Sequence, residues 1–426
     1  MNSFESFIFD ELAQREKNNL LRFSNKFDSV SASQLVVAGK SYINFSSNDY
    51  LGLASDFALT EFNKWLGVDQ QKTNPTVSSG AMASPLVTGN SEHHNQLIAE
   101  LLKAINAPST FSGLLYGSGF SANQGVLNAL FKDKSSEQFI YQDKLNHASL
   151  LDAGTKLQAA GQVRQKRFKH NCHHDLGELV KSGPNIKHLV VTESVFSMDG
   201  DRAPIKRLSA IAKKAGALFM VDDAHGFGLS ALSESNAVID LNDVDIYVVT
   251  FGKALGAQGA AVFADRAIIK YLTNFSKEYI YSTHLSPIQS EVVRFNLSKL
   301  VEQKKGQDLD KTSQEAALDK NNSRTVTLAN NISYFKELAK ANYLPLLSSD
   351  TPIQPVLIGD EEATIEVAKV LKDAGFWVSA IRYPTVKKGQ SRLRVTITSK
   401  HKANEISELV DILASALKTQ STKVIR

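Results

Sequence analysis

The chain has 426 residues, 42% of them hydrophobic, which at roughly 150 residues per domain leaves room for two or three domains with a sizeable core. Its 48 basic and 44 acidic side chains give a net charge of only +4, too small to argue for a nucleic-acid partner. A single cysteine, Cys172, excludes an internal disulfide, a zinc ribbon and a CxxC redox centre, and fits a reducing, cytoplasmic setting.

The opening MNSFESFIFDELAQREK lacks a basic region before an apolar one. No apolar run reaches the ~18 residues that would span a bilayer, so no membrane association is expected. Phe4, Phe7, Ile8 and Leu12 share one face at helical spacing, which predicts a first helix. The turn-rich stretch FSSNDYLGLA (45–54) follows. From about residue 91, predicted strands and helices alternate. SEHHNQLIAELLKAI carries a helical stripe of Leu97, Ile98, Leu101 and Leu102. HLVVTESVF (188–196) and ALFMVDDAHG (217–226) each open apolar and end polar, as buried strands do. Between them a helix is expected with Pro204 at its first turn, Leu208, Ile211 and Ala215 on one face, and Gly216 as its stop.

This alternation predicts a mostly parallel sheet with helices on both faces, finishing near residue 265. SPIQSEVVRFNLSKLVEQ (286–303) reads as a long connecting helix, and 302–324 as a polar, solvated insertion. The rest has the texture of a small α+β domain: PIQPVLIGD, a helix over about 362–374, FWVSAIR, RLRVTIT and a last helix through Ile406, Leu409, Val410, Leu413 and Leu417. In RLRVTIT, alternation puts Leu393, Val395 and Ile397 on one face and Arg392, Arg394 and Thr396 on the other. The expected division is an arm over 1–55, a large domain over 56–290 and a small one over 291–426.

Four strings carry candidate chemistry. GSGFSAN (117–123) joins a short apolar run to a helix, where backbone N–H groups of a glycine turn can approach a phosphate. It also fits the dinucleotide pattern G-x-G-x-x-A, with Glu137 twenty residues past Gly117, and equally a tight packing turn. VDDAHG (221–226) ends a buried strand in two acids, which is costly unless a cation or donors receive them. His225 stands at the same edge; a metal site would need a third ligand, and none is nominated. Lys253, in TFGKALG between two apolar strands, is placed where burial lowers an amine's pKa and frees it for carbonyl chemistry, although a structural lysine reads the same way. HNCHHD (170–175) packs three histidines and a cysteine too closely for one ion, and is read, like His93 and His94, as a polar helix-associated segment.

In order along one sheet, a phosphate turn, a strand-end acid, a histidine and a turn lysine are the parts that pyridoxal phosphate requires. FSSNDYLGLA, SPLVTGNSEHH, GSGFSANQG, NHASLLD, TESVFSMDGD, VDDAHGFG, TFGKALG and AIRYPTV…RLRVTIT resemble, in the same order, the α-oxoamine synthases. The resemblance runs from about residue 5 to 418. It implies a fold type I, pyridoxal-phosphate-dependent transferase that acts as a homodimer with a shared active site. The phrase around AIRYPTV is most similar to the branch serving biotin synthesis. That branch condenses L-alanine with a pimeloyl group, carried on coenzyme A or a carrier protein, and releases CO2. A sibling reaction with glycine or another acyl-CoA, an aminotransferase and a dinucleotide-dependent oxidoreductase are the competing activities.

By the same resemblance, Lys253 matches the lysine that bonds the cofactor's aldehyde. Asp222 matches the partner of the pyridine nitrogen, His225 the donor to the ring's phenolic oxygen, and His147 the histidine stacked over the ring. Gly119 and Phe120, assisted by Thr250, match the phosphate cradle, and Ser197 a further cofactor contact. Ser282 and Thr283 match groups lent to the neighbouring subunit's phosphate. Arg22, Asn48, His147, Thr385 and Arg394 match substrate contacts. A guanidinium binds a carboxylate by two parallel hydrogen bonds, and Arg382 and Arg392 compete with Arg394 for that task. No metal is implied. The chain departs from the family around VSSGAMASPLVTG, in 302–324, and at His284, where a small residue is usual.

Overall fold

The computed structural model describes residues 2–18, 20–67, 77–134, 137–181, 186–229, 239–308 and 324–424. Most of the expected polar insertion at 302–324 therefore lies outside the described residues. A central sheet is built from β4 (Phe111–Tyr116), β5 (Gln138–Asp143), β6 (Arg164–Phe168), β7 (Lys187–Glu193), β8 (Leu218–Asp222), β9 (Ile246–Thr250) and β10 (Ala260–Asp265). Their spatial order is β4-β10-β9-β8-β7-β5-β6. Strands β6, β5, β7, β8 and β9 run parallel, whereas β10 runs antiparallel to both of its neighbours.

The expected parallel sheet thus has one reversed strand, because the nine-residue link 251–259 is too short for a crossover and makes a hairpin of β9 and β10. Strand β4 sits at the sheet's edge with antiparallel β10 as its neighbour. The glycine turn after β4 is therefore not part of the parallel βαβ unit that a dinucleotide fingerprint needs.

Helices cover both faces, and the apolar runs anticipated from sequence are buried. Val190, Val191, Phe219, Val248 and Val262 are all inaccessible. The helix Ile205–Ala215 is stopped by Gly216 in the left-handed region (φ 71°), where a side chain would be strained. Its buried stripe is Leu208, Ser209 and Ala212.

A second sheet joins the two ends of the chain. Its strands β1 (Ser29–Val30), β2 (Gln34–Val37) and β3 (Lys40–Asn44) are antiparallel, and β12 (Phe376–Trp377) pairs parallel to β3. A third sheet, β11 (Ile353–Gly359), β14 (Ser391–Thr396) and β13 (Ser379–Ile381), is antiparallel. The string FWVSAIR, read as one strand, is thus divided between two sheets. In β14 both faces are buried: Leu393 and Val395 face the apolar core, while Arg392 and Arg394, 3% and 7% exposed, pack against the turn at 195–202. The polar side of this strand is an interior contact and not a solvated one.

The first helix forms over Ser3–Lys17 with a capping box at Asn2 and Glu5, but it buries none of its residues. No helix among the described residues is long and apolar enough to cross a membrane.

The arm segment 45–56 runs between the third sheet and the lysine hairpin. Thr396 donates its backbone N–H to Phe45 O (2.8 Å) and Ser399 to Tyr50 O (2.9 Å). On the other side Gly256, with φ 56°, lies so close that a Cβ would strike the backbone nitrogen of Ala54. Gly256→Ala is expected to destabilise the fold by about 1–3 kcal/mol, read as a lowered thermal midpoint, through strain and loss of that approach together.

Candidate active site

The carboxyl ends of β4, β7, β8 and β9 open onto a cavity of about 360 Å3 lined by Gly119, His147, Asp222, His225, Thr250 and Lys253 among others. Each side chain arrives from a local feature of the sequence. Ser118 caps the helix Gly119–Leu130, accepting from the Ser121 N–H, and so points the helix N-terminus at the cavity. His147 is the cap of the helix Ala148–Ala159, its Nδ1 within 2.8 Å of Ser149 Oγ. Asp222 ends β8, and Thr250 ends β9 immediately before the hairpin that carries Lys253.

Asp222 is buried with both oxygens engaged. Asn123 Nδ2 donates to one at 2.7 Å and the Ala224 N–H to the other at 3.0 Å. The adjacent Asp223 takes no part in the cavity: it accepts from Ser194 Oγ and the Tyr247 hydroxyl, and burial raises its pKa to about 6. Glu193 faces Asp222 across β7 and β8. Burial, reinforced by the charge on Asp222, pushes its carboxyl well above the usual range.

Burial lowers the Lys253 amine to about 8, against the attraction of Asp222 and Glu193. Burial likewise lowers His147, and burial with the charges of Lys253 and Arg394 holds His225 well below its ordinary value. His225 is therefore a neutral imidazole. Its Nδ1 lies 2.7 Å from the Tyr50 hydroxyl, whose own pKa is raised by burial. The Tyr50 hydroxyl also reaches Asn48 Oδ1 (3.3 Å), so it links the imidazole to a second residue of the cavity lining.

Asn48 and Phe120 also line the cavity. Ser197 and Arg394 stand outside it and meet each other: Arg394 Nε donates to Ser197 O at 2.7 Å, while its two terminal nitrogens reach Thr396 Oγ1 (3.1 Å) and Asn48 Oδ1 (3.3 Å). The competing arginines are committed elsewhere, Arg392 to Asp199 (2.5 Å) and Arg382 to Glu361 (3.2 Å). Arg22, Thr385, Ser282 and Thr283 are exposed and do not line this chain's cavity.

Sequence reasoning passed over Tyr50, Asn123, Ser149 and Glu193. All four lie inside motifs already quoted, but their work is to hold or face another side chain, and spacing alone does not reveal that. The histidine-rich strings also differ from expectation. His170 lies between two carboxylates, and His94 is buried, bonded to Leu285 O (2.6 Å) and stacked on His284 at 4.2 Å. Among the described residues no group of three or more His, Cys, Asp or Glu is placed to hold a metal ion.

The arrangement brings an amine, a fixed carboxylate, two neutral imidazoles and a helix N-terminus to one cavity. Such a set can bind an anionic cofactor, bond its carbonyl and move a proton at the amine. Residues 40–413 match the family described as aminotransferase class I and II. An 8-amino-7-oxononanoate synthase of Vibrio parahaemolyticus is 39% identical over 419 residues, spanning 98% of this chain and 99% of that one. A solved 8-amino-7-oxononanoate synthase of Francisella tularensis superposes with a TM-score of 0.67 at 26% identity, over 89% of this chain and 99% of that one. A serine palmitoyltransferase of S. paucimobilis, 22% identical, superposes with a TM-score of 0.80 over 99% of this chain and 100% of that one, a likeness of fold. The chain belongs to the class I and II aminotransferase family, and within it to the 8-amino-7-oxononanoate synthases.

Proposed function

We propose that the protein condenses L-alanine with a pimeloyl thioester, releasing CO2 and the thiol, to give 8-amino-7-oxononanoate with pyridoxal phosphate as cofactor. The observation that carries this reading is the convergence of Lys253, Asp222, His147, His225 and a helix N-terminus on one cavity.

The residues fit the cofactor. Thr250 Oγ1 is buried without a hydrogen-bond partner among the described residues, a donor to spare beside the helix N-terminus. Gly119 faces Thr250 so closely that a Cβ would strike its methyl group, which leaves backbone N–H groups for a phosphate. Asp222, with both oxygens fixed, suits a protonated ring nitrogen, His147 the ring face and His225 the phenolic oxygen. When bound, pyridoxal phosphate supplies the aldehyde and an electron-withdrawing ring.

The chain's own residues do the rest. Arg394, anchored at Nε by Ser197 O, presents its terminal nitrogens to the alanine carboxylate and sets the orientation of the α-carbon. Lys253, with its pKa at about 8, takes the α-proton at Nζ near neutral pH. His147, neutral, donates to the oxygen of the thioester carbonyl as charge develops there. A glycine-using sibling would employ the same set, since one methyl changes binding by only ~1–3 kcal/mol; the mass of the product separates the two.

Exposed apolar side chains support a homodimer. Phe120 at the cavity, Met82, Val87 and Tyr281, and Phe4, Phe7, Ile8, Phe9 and Leu12 on the first helix all stand in water. Burying these on a second copy would bring the exposed Ser282 and Thr283 to a neighbour's phosphate end, as the resemblance implies.

Three outcomes test the reading. Lys253→Ala should lose at least about a thousandfold in alanine-dependent CO2 release, and borohydride should no longer fix the cofactor to the chain; retained turnover refutes the assignment. Arg394→Lys should raise the KM for alanine by about tenfold while the pimeloyl KM stays near its original value, because an ammonium has no second parallel bond to give. The neutral Lys253 amine, not the ammonium, attacks an aldehyde. Cofactor capture by the cofactor-free protein should therefore quicken as pH rises towards about 8 and level off above it, followed by visible absorbance. A rate that keeps rising well beyond about pH 8, as for an ordinary lysine, contradicts the lowered amine.

A further inference from the structure

We propose that His170 is a positioning residue for the substrate's carboxylate site: its ring ties Asp143 at the end of β5 to Asp201 in the 195–202 turn, and through that turn it sets Arg394 relative to Asp222 and Lys253. The inference rests on the role given to Arg394 above.

Both ring nitrogens of His170 face a carboxylate. Nδ1 lies 2.9 Å from Asp143 Oδ1 and Nε2 2.7 Å from Asp201 Oδ2. A neutral imidazole donates from one nitrogen only, so two carboxylate partners require the imidazolium. The two acids together outweigh burial and raise His170 to about 10, so the charge persists across the physiological range. The ring edge packs on Phe196 at 4.4 Å. Asn171, in the left-handed region at φ 53°, doubles the tie: its N–H donates to Asp143 Oδ2 (2.8 Å) and its amide to Asp201 Oδ2 (2.8 Å).

The 195–202 turn is where the central sheet meets the C-terminal strands. Val195 and Arg202 bridge across it, and Phe196 N donates to Asp201 O (3.0 Å). From the C-terminal side, Ser349 and Thr351 hydroxyls donate to Gly200 O (3.0 Å each), Arg202 pairs with Asp350 (2.8 Å), Arg392 with Asp199, and Arg394 with Ser197 O. Ser194 fastens the start of the turn to β8 through Asp222 O (2.9 Å), and the His170 clamp fastens its far side, at Asp201, to β5; Arg394 takes its place from a turn held at both points. Asp143 also accepts from the Leu145 N–H (2.8 Å), a bond on the His147 side that does not depend on the His170 ring. Misplacing a binding group by about 1 Å can cost up to ~100-fold, which gives such a clamp leverage at a distance.

His170→Gln keeps one amide donor and removes the charge and the second bond. In steady-state kinetics on the holoenzyme it should raise the KM for alanine about tenfold, with kcat and the pimeloyl KM within about twofold and the cofactor absorbance unchanged. Amide hydrogen exchange over 195–202 should quicken. In an Arg394→Lys background the same change should add less than about twofold, because both act through one guanidinium site. Asp201→Asn, which removes the other half of the clamp, should reproduce the alanine effect and serves if the first variant does not fold. An unchanged alanine KM in both variants, a loss confined to kcat and thermal midpoint, or full additivity with Arg394→Lys overturns the proposal. If the wild-type enzyme instead turns over a different amino acid whose KM His170→Gln raises, the reaction assigned above falls and the clamp stands.

Discussion

Three neighbouring strands end in buried acids, and the architecture of the site follows from how each is answered. In the order β8-β7-β5, the strand ends are Asp222, Glu193 and Asp143, exposed by 4%, 2% and 0%. Unit charges about 4 Å apart interact by ~4 kcal/mol at an effective dielectric constant of about 20, so three unanswered carboxylates on one edge would not be tolerated. Asp143 receives the His170 cation. Burial and the charge on Asp222 push the Glu193 carboxyl well above the usual range. Asp222 receives Asn123 and a backbone N–H and lines the same cavity as Lys253. The three solutions differ in chemistry: Asp143 is answered by a cation, Glu193 by a raised pKa and Asp222 by neutral donors, which leaves Asp222 free to answer a cationic ring.

The lysine inherits the balance of these choices. Burial lowers its amine, while Asp222 and Glu193 pull in the opposite direction and Arg394 adds to the lowering. Burial is the largest of these influences and prevails. The same Arg394 helps hold His225 neutral. One guanidinium, fixed from a different sheet, thus enters the proton balance of the lysine and of the ring-facing histidine, and the turn at 195–202 is the mechanical link that brings it there.

How much of this the sequence discloses depends on whether a residue's partner is local. Asp222, Lys253 and the Gly119 turn announce themselves because each breaks a local rule: an acid ending an apolar strand, a lysine between two strands, glycines at a helix start. Arg394 and Arg392 are not separated by alternation, since the two share a face and both are buried; Asp199, two hundred residues away along the chain, decides between them by occupying Arg392. His170 reads as polar because its partners lie far along the chain, Asp143 at the end of β5 and Asp201 in the 195–202 turn. The division of FWVSAIR between two sheets is likewise set by the distant strand β3 and not by its own composition. The helix Ser3–Lys17 is legible as a helix, but none of its residues is buried against the described residues, so its apolar face gives no packing partner to read.

The same reasoning explains why chemistry is more legible than substrate. The reaction needs charges held in a low-dielectric cavity, and each such charge demands partners that leave a trace: Asn123 and Ala224 for Asp222, Tyr50 for His225, Ser197 for Arg394. The methyl of alanine asks only for space, a matter of ~1–3 kcal/mol that any of several small residues can grant. The pimeloyl chain asks for an apolar path, and exposed Phe120, Met82 and Tyr281 stand ready for either an acyl chain or a second copy of the protein. Specificity in this fold is accordingly a property of surfaces that close over the site, whereas the proton chemistry is fixed by strand ends that cannot change without unbalancing a buried charge.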